Sequence, residues 1–262
     1  MIHRFPALSP SLEQNHLLAA LPANVRARFC SYANFIQLPR AKCLYEAGDK
    51  PNYVFFPTDA VITLAYTIKN GNSTEVSVVG NEGLVGVSVL MDGGSMPYRT
   101  VVQNAGGAYR IPVSLLREEL HRNSELQVLF FHYLQALMTQ MAQTAVCNRY
   151  HLIEQQLCRW LLLSLDRVPS NTMSFTQELI ASTLGVRREA VTLAAQKLRK
   201  YEVVEYCRGK LTIVNREKLE LLSCECYGVI REEYDRLLKN LSKNGNSRLF
   251  GVGKKMPNDS DR

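Results

Sequence analysis

The feature of this sequence that most constrains its fold is a switch in hydrophobic period. Between residues 34 and 111 the apolar residues come in short runs broken by turn signals; from 124 to about 149 one helical period holds, with neither proline nor glycine. Short runs spaced about 8–12 residues apart build a sandwich or a jelly-roll barrel. The candidate strands are 34–38, 43–46, 53–57, 61–69, 73–79, 99–103 and 108–111. Ala47-Gly48-Asp49, Pro57-Thr58-Asp59, Asn70-Gly71 and Gly93-Gly94 separate them. Asn70-Gly71 predicts a tight type I′ hairpin, which needs positive φ at both positions. Ahead of the strands, Leu17, Leu18 and Leu21 give short helices an apolar face that Pro22 ends.

In the long helix Phe130, Leu134, Leu137, Met141 and Ala145 recur at three- and four-residue steps, and Leu126, Phe131, Tyr133 and Met138 widen the apolar surface. A stripe this wide can cover the barrel and can also meet a partner helix; the pattern leaves both open. A second helix, 150–166, turns Leu152, Ile153, Leu157, Trp160, Leu161 and Leu165 inward before Val168-Pro169-Ser170-Asn171 breaks the chain. The division that follows is an arm at 1–14, a β-roll at 15–123, the long helix at 124–147, a second domain at 148–240, and a polar tail at 241–262, rich in Gly, Ser and Asn, that is expected to be disordered. The fold class is α+β.

The second domain holds the most informative segment, 174–199. Ser174 with Gln177 is a capping-box pattern that would start a helix. Leu179, Ile180 and Leu184 face inward, and Gly185 stands where a turn needs positive φ. A further helix from Arg187 buries Val191, Ala194 and Leu198 and leaves Arg188, Glu189, Thr192 and Gln196 on its other side. Helix, glycine turn and a helix with arginines in its first turn make a helix-turn-helix. Its second helix would enter a major groove of double-stranded DNA, with Arg188 donating to guanine O6 and N7 and Glu189 accepting from cytosine N4. Arg187, Lys197, Arg199 and Lys200 are placed for phosphates, as are Thr176 and Gln177 at the first helix's N-terminus. Two β-rich runs around Arg208-Gly209-Lys210 read as a wing with a basic tip.

Charge and composition agree with that reading. The net charge of +7 suits a polyanionic partner. No apolar run has the roughly 18 residues a spanning helix needs, and residues 1–11 do not read as a secretory leader, so no membrane partner is expected. Seven cysteines scattered over 30, 43, 147, 158, 207, 224 and 226 suit a reducing cytoplasm. No phosphate loop, nucleophile elbow or zinc motif is found, and the adjacent Glu118 and Glu119 point apart on a helix, so no catalytic residues and no enzyme are expected.

The order of helix, β-roll, long helix, helix-turn-helix and wing resembles the Crp/Fnr superfamily of transcription regulators, that of the cyclic-AMP receptor protein and the fumarate-nitrate regulator. The resemblance spans roughly residues 15–240. It is carried most specifically by LGVRREAVTLAAQKLRKYEVVEYCRGKLTIVNREKLE at 184–220, with CLYEAGD at 43–49, VGNEGLVGV at 79–87 and NRYHLIEQQLCRWLL at 148–162. It implies a cyclic-nucleotide-binding-like β-roll, a winged helix-turn-helix, and a homodimer paired through the long helix at Phe130, Leu134, Leu137 and Met141. It places the family's base-reading Arg-Glu pair on Arg188 and Glu189. A further base-reading arginine of the cyclic-AMP-binding members falls on Leu193, and Thr192 replaces a small residue, so the operator is expected to differ from theirs. An activator of this family would also need a surface for RNA polymerase, which no motif marks.

The resemblance also raises an effector. The nearest counterparts of a cyclic-nucleotide cassette are Gly80, Glu82 and Gly83 with Arg99 and Thr100. Gly83 follows Glu82 directly, and the gap to Arg99 is longer than in the nucleotide binders. The favoured expectation is no cyclic nucleotide and no cofactor, with Glu82 capping a short helix and Arg99 paired to it. A regulator whose β-roll is only a scaffold stands nearly level with an effector-responsive one. The rival function is a cyclic-nucleotide- or anion-sensing module acting on a protein partner, which leaves the Arg-Arg-Glu helix without a purpose. No metal site is expected: Cys30 and Cys43 are too few for an iron-sulfur cluster, and Cys224-Glu225-Cys226 lacks nearby partners at zinc spacing. That pair is expected to pack on the DNA-binding domain, with a redox switch as the alternative.

Overall fold

The computed structural model describes residues 11–207 and 209–238. The expected tail and most of the N-terminal arm, with Arg208 at the wing tip, lie outside the described residues.

Two short helices, α1 (His16–Ala19) and α2 (Ala23–Tyr32), precede seven antiparallel strands. These are β1 (Asn34–Leu38), β2 (Cys43–Tyr45), β3 (Tyr53–Pro57), β4 (Val61–Thr67), β5 (Ser73–Val79), β6 (Arg99–Asn104) and β7 (Gly106–Pro112). They form two sheets, ordered β1-β7-β3 and β2-β6-β4-β5, which is the expected roll. The β4–β5 connection departs from the type I′ expectation. Only Gly71 is left-handed, at φ 87°. Its N–H donates to Ile68 O at 2.9 Å, and Asn70 Oδ1 accepts from Asn72 N at 3.0 Å, so the asparagine supports the turn with its side chain.

After α3 (Val113–Arg122) comes the long helix α4 (Ser124–Tyr150), then α5 (Ile153–Leu165), β8 (Thr172–Ser174), α6 (Gln177–Leu184), α7 (Arg188–Lys200), β9 (Val204–Cys207), β10 (Lys210–Ile213), α8 (Arg216–Leu222) and α9 (Glu225–Leu238). Strands β8, β10 and β9 make a small antiparallel sheet beside the helices.

The core runs unbroken from the roll into the C-terminal helices. Helix α4 buries Leu126, Leu129, Phe130, Tyr133, Leu134 and Leu137 against its own chain. That removes Phe130, Leu134 and Leu137 from the expected dimer contact: their side chains are already used, and Met141 is half-buried. The outward apolar residues of α4 are Phe131 and Met138, 54% and 67% exposed, with Val128, Ala142, Ala145 and Val146. Phe131, Met138 and Ala145 recur every seven residues, and Ala142 falls four after Met138.

A buried polar seam ties the roll to the C-terminal helices. Tyr133 Oη donates to Leu84 O at 2.9 Å, and Gln140 Nε2 to Val78 O at 3.0 Å. Gln103 Nε2 of β6 donates to Ser164 Oγ of α5 at 3.0 Å. Arg167, just past α5, reaches Glu82 Oε1 at 2.8 Å, Gln140 Oε1 at 3.2 Å and Leu163 O at 2.6 Å. Its guanidinium and the Glu82 carboxylate are both fully enclosed.

Candidate nucleic-acid interface

Helix α6 starts two residues later than the capping-box reading. Ser174 ends strand β8, and Thr176 is the N-cap, its Oγ1 accepting from Leu179 N at 3.1 Å. Ile180, Ala181 and Leu184 are buried and Leu179 partly so. The helix ends on Gly185 at φ 67°, the left-handed cap the turn demands. Arg187 is the N-cap of α7, which buries Val191, Ala194 and Leu198 on the opposite side from its exposed residues.

The exposed side of α7 carries Arg187, Arg188, Glu189, Leu193, Gln196, Lys197, Arg199 and Lys200. Its first turn therefore offers two guanidiniums and a carboxylate to solvent, groups able to donate to guanine and to accept from cytosine. Arg188 Nη1 sits 3.1 Å from Glu178 Oε1 of α6. Both partners are exposed, so this pair holds the arginine weakly and can exchange for a base. Thr192 is half-buried, with Oγ1 2.9 Å from Gln177 Oε1 and 3.1 Å from Arg188 O, so it joins the two helices more than it faces outward. Lys197 is bound by Glu154 of α5 and directed along the protein. Lys210 at the start of β10 is exposed. Leu193 is 62% exposed in the middle of this polar surface, an apolar residue with no intramolecular reason to be there.

The helix-turn-helix is not isolated from the roll. Thr74 Oγ1 of β5 donates to Thr183 O of α6 at 3.2 Å, and a Cβ at Gly185 would meet that hydroxyl at 3.2 Å.

The effector constellation is not brought together. Glu82 is consumed by Arg167 and by the N–H of Gly80, at 2.8 and 3.1 Å. Arg99 is exposed and paired to Glu46 at 3.1 Å, which corrects the expected pairing with Glu82. Thr100 is buried. The glycines have other work: a Cβ at Gly80 would lie 2.7 Å from Arg167 Cβ, and one at Gly83 2.4 Å from Tyr133 Oη. Both are small so that Arg167 and α4 can close on this loop.

The cysteine expectation also needs correcting. Cys224 and Cys226 do have partners: Cys147 in the last turn of α4 and His151 just after it. The four ligand atoms lie within 4.8 Å of one another. Contacts 77 and 75 residues apart in the chain are invisible to a search for short spacings. The sequence did carry a signal, since Cys147 and His151 stand four apart on one helical face.

The Crp-like helix-turn-helix domain family matches residues 155–222, the span from α5 through α8. The chain has the Crp/Fnr regulator fold. FixK2 from Bradyrhizobium japonicum is 14% identical with a TM-score of 0.62, over 73% of this chain and 98% of that one. A transcriptional regulator of the crp/fnr family from Eubacterium rectale is 13% identical with a TM-score of 0.61, over 80% and 98%. TTHB099, a CRP-family regulator from Thermus thermophilus, is 15% identical with a TM-score of 0.59, over 72% and 96%. No curated relative matches the sequence. At such identities the Crp/Fnr likeness rests on the architecture and the helix-turn-helix, and the side chains of the roll are this protein's own. No helix among the described residues is long and apolar enough to cross a membrane.

Proposed function

We propose that this Crp/Fnr-type chain is a homodimeric, sequence-specific DNA-binding transcription regulator of the cytoplasm, and not an enzyme. The observation that carries the reading is the first turn of α7, where Arg187, Arg188 and Glu189 stand exposed at the end of a capped helix-turn-helix. Arg188 and Glu189 read bases, Arg187 and the basic end of α7 hold phosphates, and Leu193 offers an apolar contact such as a thymine methyl demands. The dimer forms along the outward stripe of α4 through Phe131, Met138 and Ala145, and its two α7 helices address half-sites about 34 Å apart, as helix-turn-helix dimers do. A regulator that activates would further engage RNA polymerase. The closed Glu82–Arg167 pair supports a roll that works without a cyclic nucleotide at that loop.

Selection of bound sequences from randomised duplex DNA tests this. Enrichment of a two-fold symmetric site, weakened by Arg188→Ala or Glu189→Ala, is the expected result. Salt-sensitive binding with no enriched sequence, indifferent to both changes, would leave charge alone as the basis of binding and move the partner-sensing reading to the front.

A further inference from the structure

Cys147 and His151 close helix α4, and Cys224 and Cys226 bracket the start of α9, so the two ends meet with three sulfurs and one imidazole facing a common centre. Cys147 Sγ lies 3.5 Å from Cys224 Sγ, and Cys226 Sγ lies 3.5 Å from His151 Nδ1. A tetrahedral zinc ion with bonds of about 2.3 Å to sulfur and about 2.0–2.1 Å to nitrogen has sulfur–sulfur edges of about 3.8 Å and sulfur–nitrogen edges of about 3.6 Å. Both observed edges are within a few tenths of an ångström of those a bound zinc would set.

Two surrounding groups point the same way. Glu225 Oε1 sits 3.2 Å from His151 Nε2. A carboxylate there accepts a hydrogen bond from Nε2–H, which fixes that tautomer and leaves the lone pair on Nδ1, the atom turned toward Cys226; this is the outer-shell arrangement that metal-bound histidines use. On the other side stands Arg159, 3% exposed, with Nη1 on Thr144 Oγ1 at 3.1 Å and no hydrogen bond at Nε. Arg159 lies beside Cys147 and Cys226. A divalent ion with three thiolates and a neutral imidazole carries one net negative charge, which suits a site beside an enclosed arginine.

We propose that Cys147, His151, Cys224 and Cys226 bind one zinc ion, with Glu225 orienting the histidine. On binding, the three thiol protons pass to solvent and four metal–ligand bonds form without any change in oxidation state. All four positions are protein ligands, so the site is structural: no open position remains for water or substrate. The ion clamps the exit of the long helix to the start of α9, the helix after α8. It thereby fixes the DNA-binding helices relative to the outward stripe of α4. The inference is independent of which DNA sequence, if any, the protein reads.

Metal analysis of the full chain, purified under reducing conditions and dialysed, tests it. One zinc per chain is expected. Replacement by cobalt(II) should give the intense visible bands of a tetrahedral ion and a thiolate-to-cobalt charge-transfer band. Cys226→Ser and Cys224→Ser should lower affinity at least tenfold, and Glu225→Gln by about 10–100-fold. Cys30→Ser and Cys158→Ser should leave affinity unchanged. His151→Cys should keep the cobalt bands and strengthen the charge transfer, a gain no unfolded variant can give. On the wild-type chain itself, a mercurial should release the zinc in step with modification of three thiols. Less than a tenth of an equivalent of metal in the wild type, cobalt spectra without tetrahedral character, spectra unmoved by the cysteine changes, or a Cys147–Cys224 disulfide in anaerobically purified protein would each overturn the assignment.

Discussion

Arg167 and Glu82 meet at 2.8 Å with neither side chain reaching solvent, one from the segment leading into the helix-turn-helix and the other from the loop after β5. Breaking one side of such a pair leaves an uncompensated charge in the interior. Arg167→Met should therefore destabilise the protein by about 3–5 kcal/mol, and adding Glu82→Gln should recover part of the loss. Urea denaturation of the two variants at neutral pH measures both effects. A single-variant cost below about 1 kcal/mol, in the range of surface pairs, would mean the pair does not tie the two parts together.

The two faces of α4 should respond to substitution in opposite ways. Met138→Glu puts a charge on the outward stripe, where the protomer itself makes little use of the side chain. Sedimentation should show the dimer shifting to monomer while the protomer's unfolding stays nearly unchanged. Leu137→Ala removes a side chain buried in the protomer's own core and should cost about 2–5 kcal/mol of folding stability. A dimer untouched by Met138→Glu would place the two-fold elsewhere.

Which residues of α4 face which way was not readable from its period, because the helix is apolar nearly all round. Three- and four-residue steps pick out Phe130, Leu134 and Leu137, yet Tyr133 and Gln140 anchor that side to the roll through Leu84 and Val78. The seven strands, by contrast, were legible from alternating short runs and their turn residues, and the helix-turn-helix from Gly185 between two amphipathic segments. Glu82 could not be understood from its own surroundings, since its partner lies 85 positions away. Separations of 77 and 75 positions hid the cysteine–histidine cluster in the same way. Long-range pairing of polar side chains leaves no period in a sequence.

Base reading and phosphate contact on α7 should separate experimentally. Arg188 gives up only an exposed contact to Glu178 to reach DNA. Arg188→Ala should weaken binding to the selected operator by about 1–3 kcal/mol while relaxing the preference at one base position. Arg187→Ala, at the N-cap, should weaken all sequences alike and lower the slope of log affinity against log salt by about one. Titrations of operator and unrelated duplexes across salt concentrations distinguish the two. Equal losses on every sequence from both changes would remove Arg188 from readout.

Stability should also depend on pH through Glu75 of β5. Enclosed between the sheet and α5, its carboxyl is pushed up to about 7, first by burial, against the hydrogen bond from Thr63 Oγ1 at 2.7 Å and the nearby charge of Arg159. A carboxyl that holds its proton more tightly when folded than its ordinary value of 4.5 adds stability that is complete below about pH 4.5. That contribution is lost as the pH rises through about 7, because the folded protein must then either carry a buried anion or keep a proton the unfolded chain has released. Glu75→Gln, which resembles the protonated acid, has no such penalty. Its stability relative to the wild type should grow from pH 5 to pH 7.5 in denaturant titrations. Parallel stability curves for the two proteins over that range would show that Glu75 ionises no differently in the folded and unfolded states.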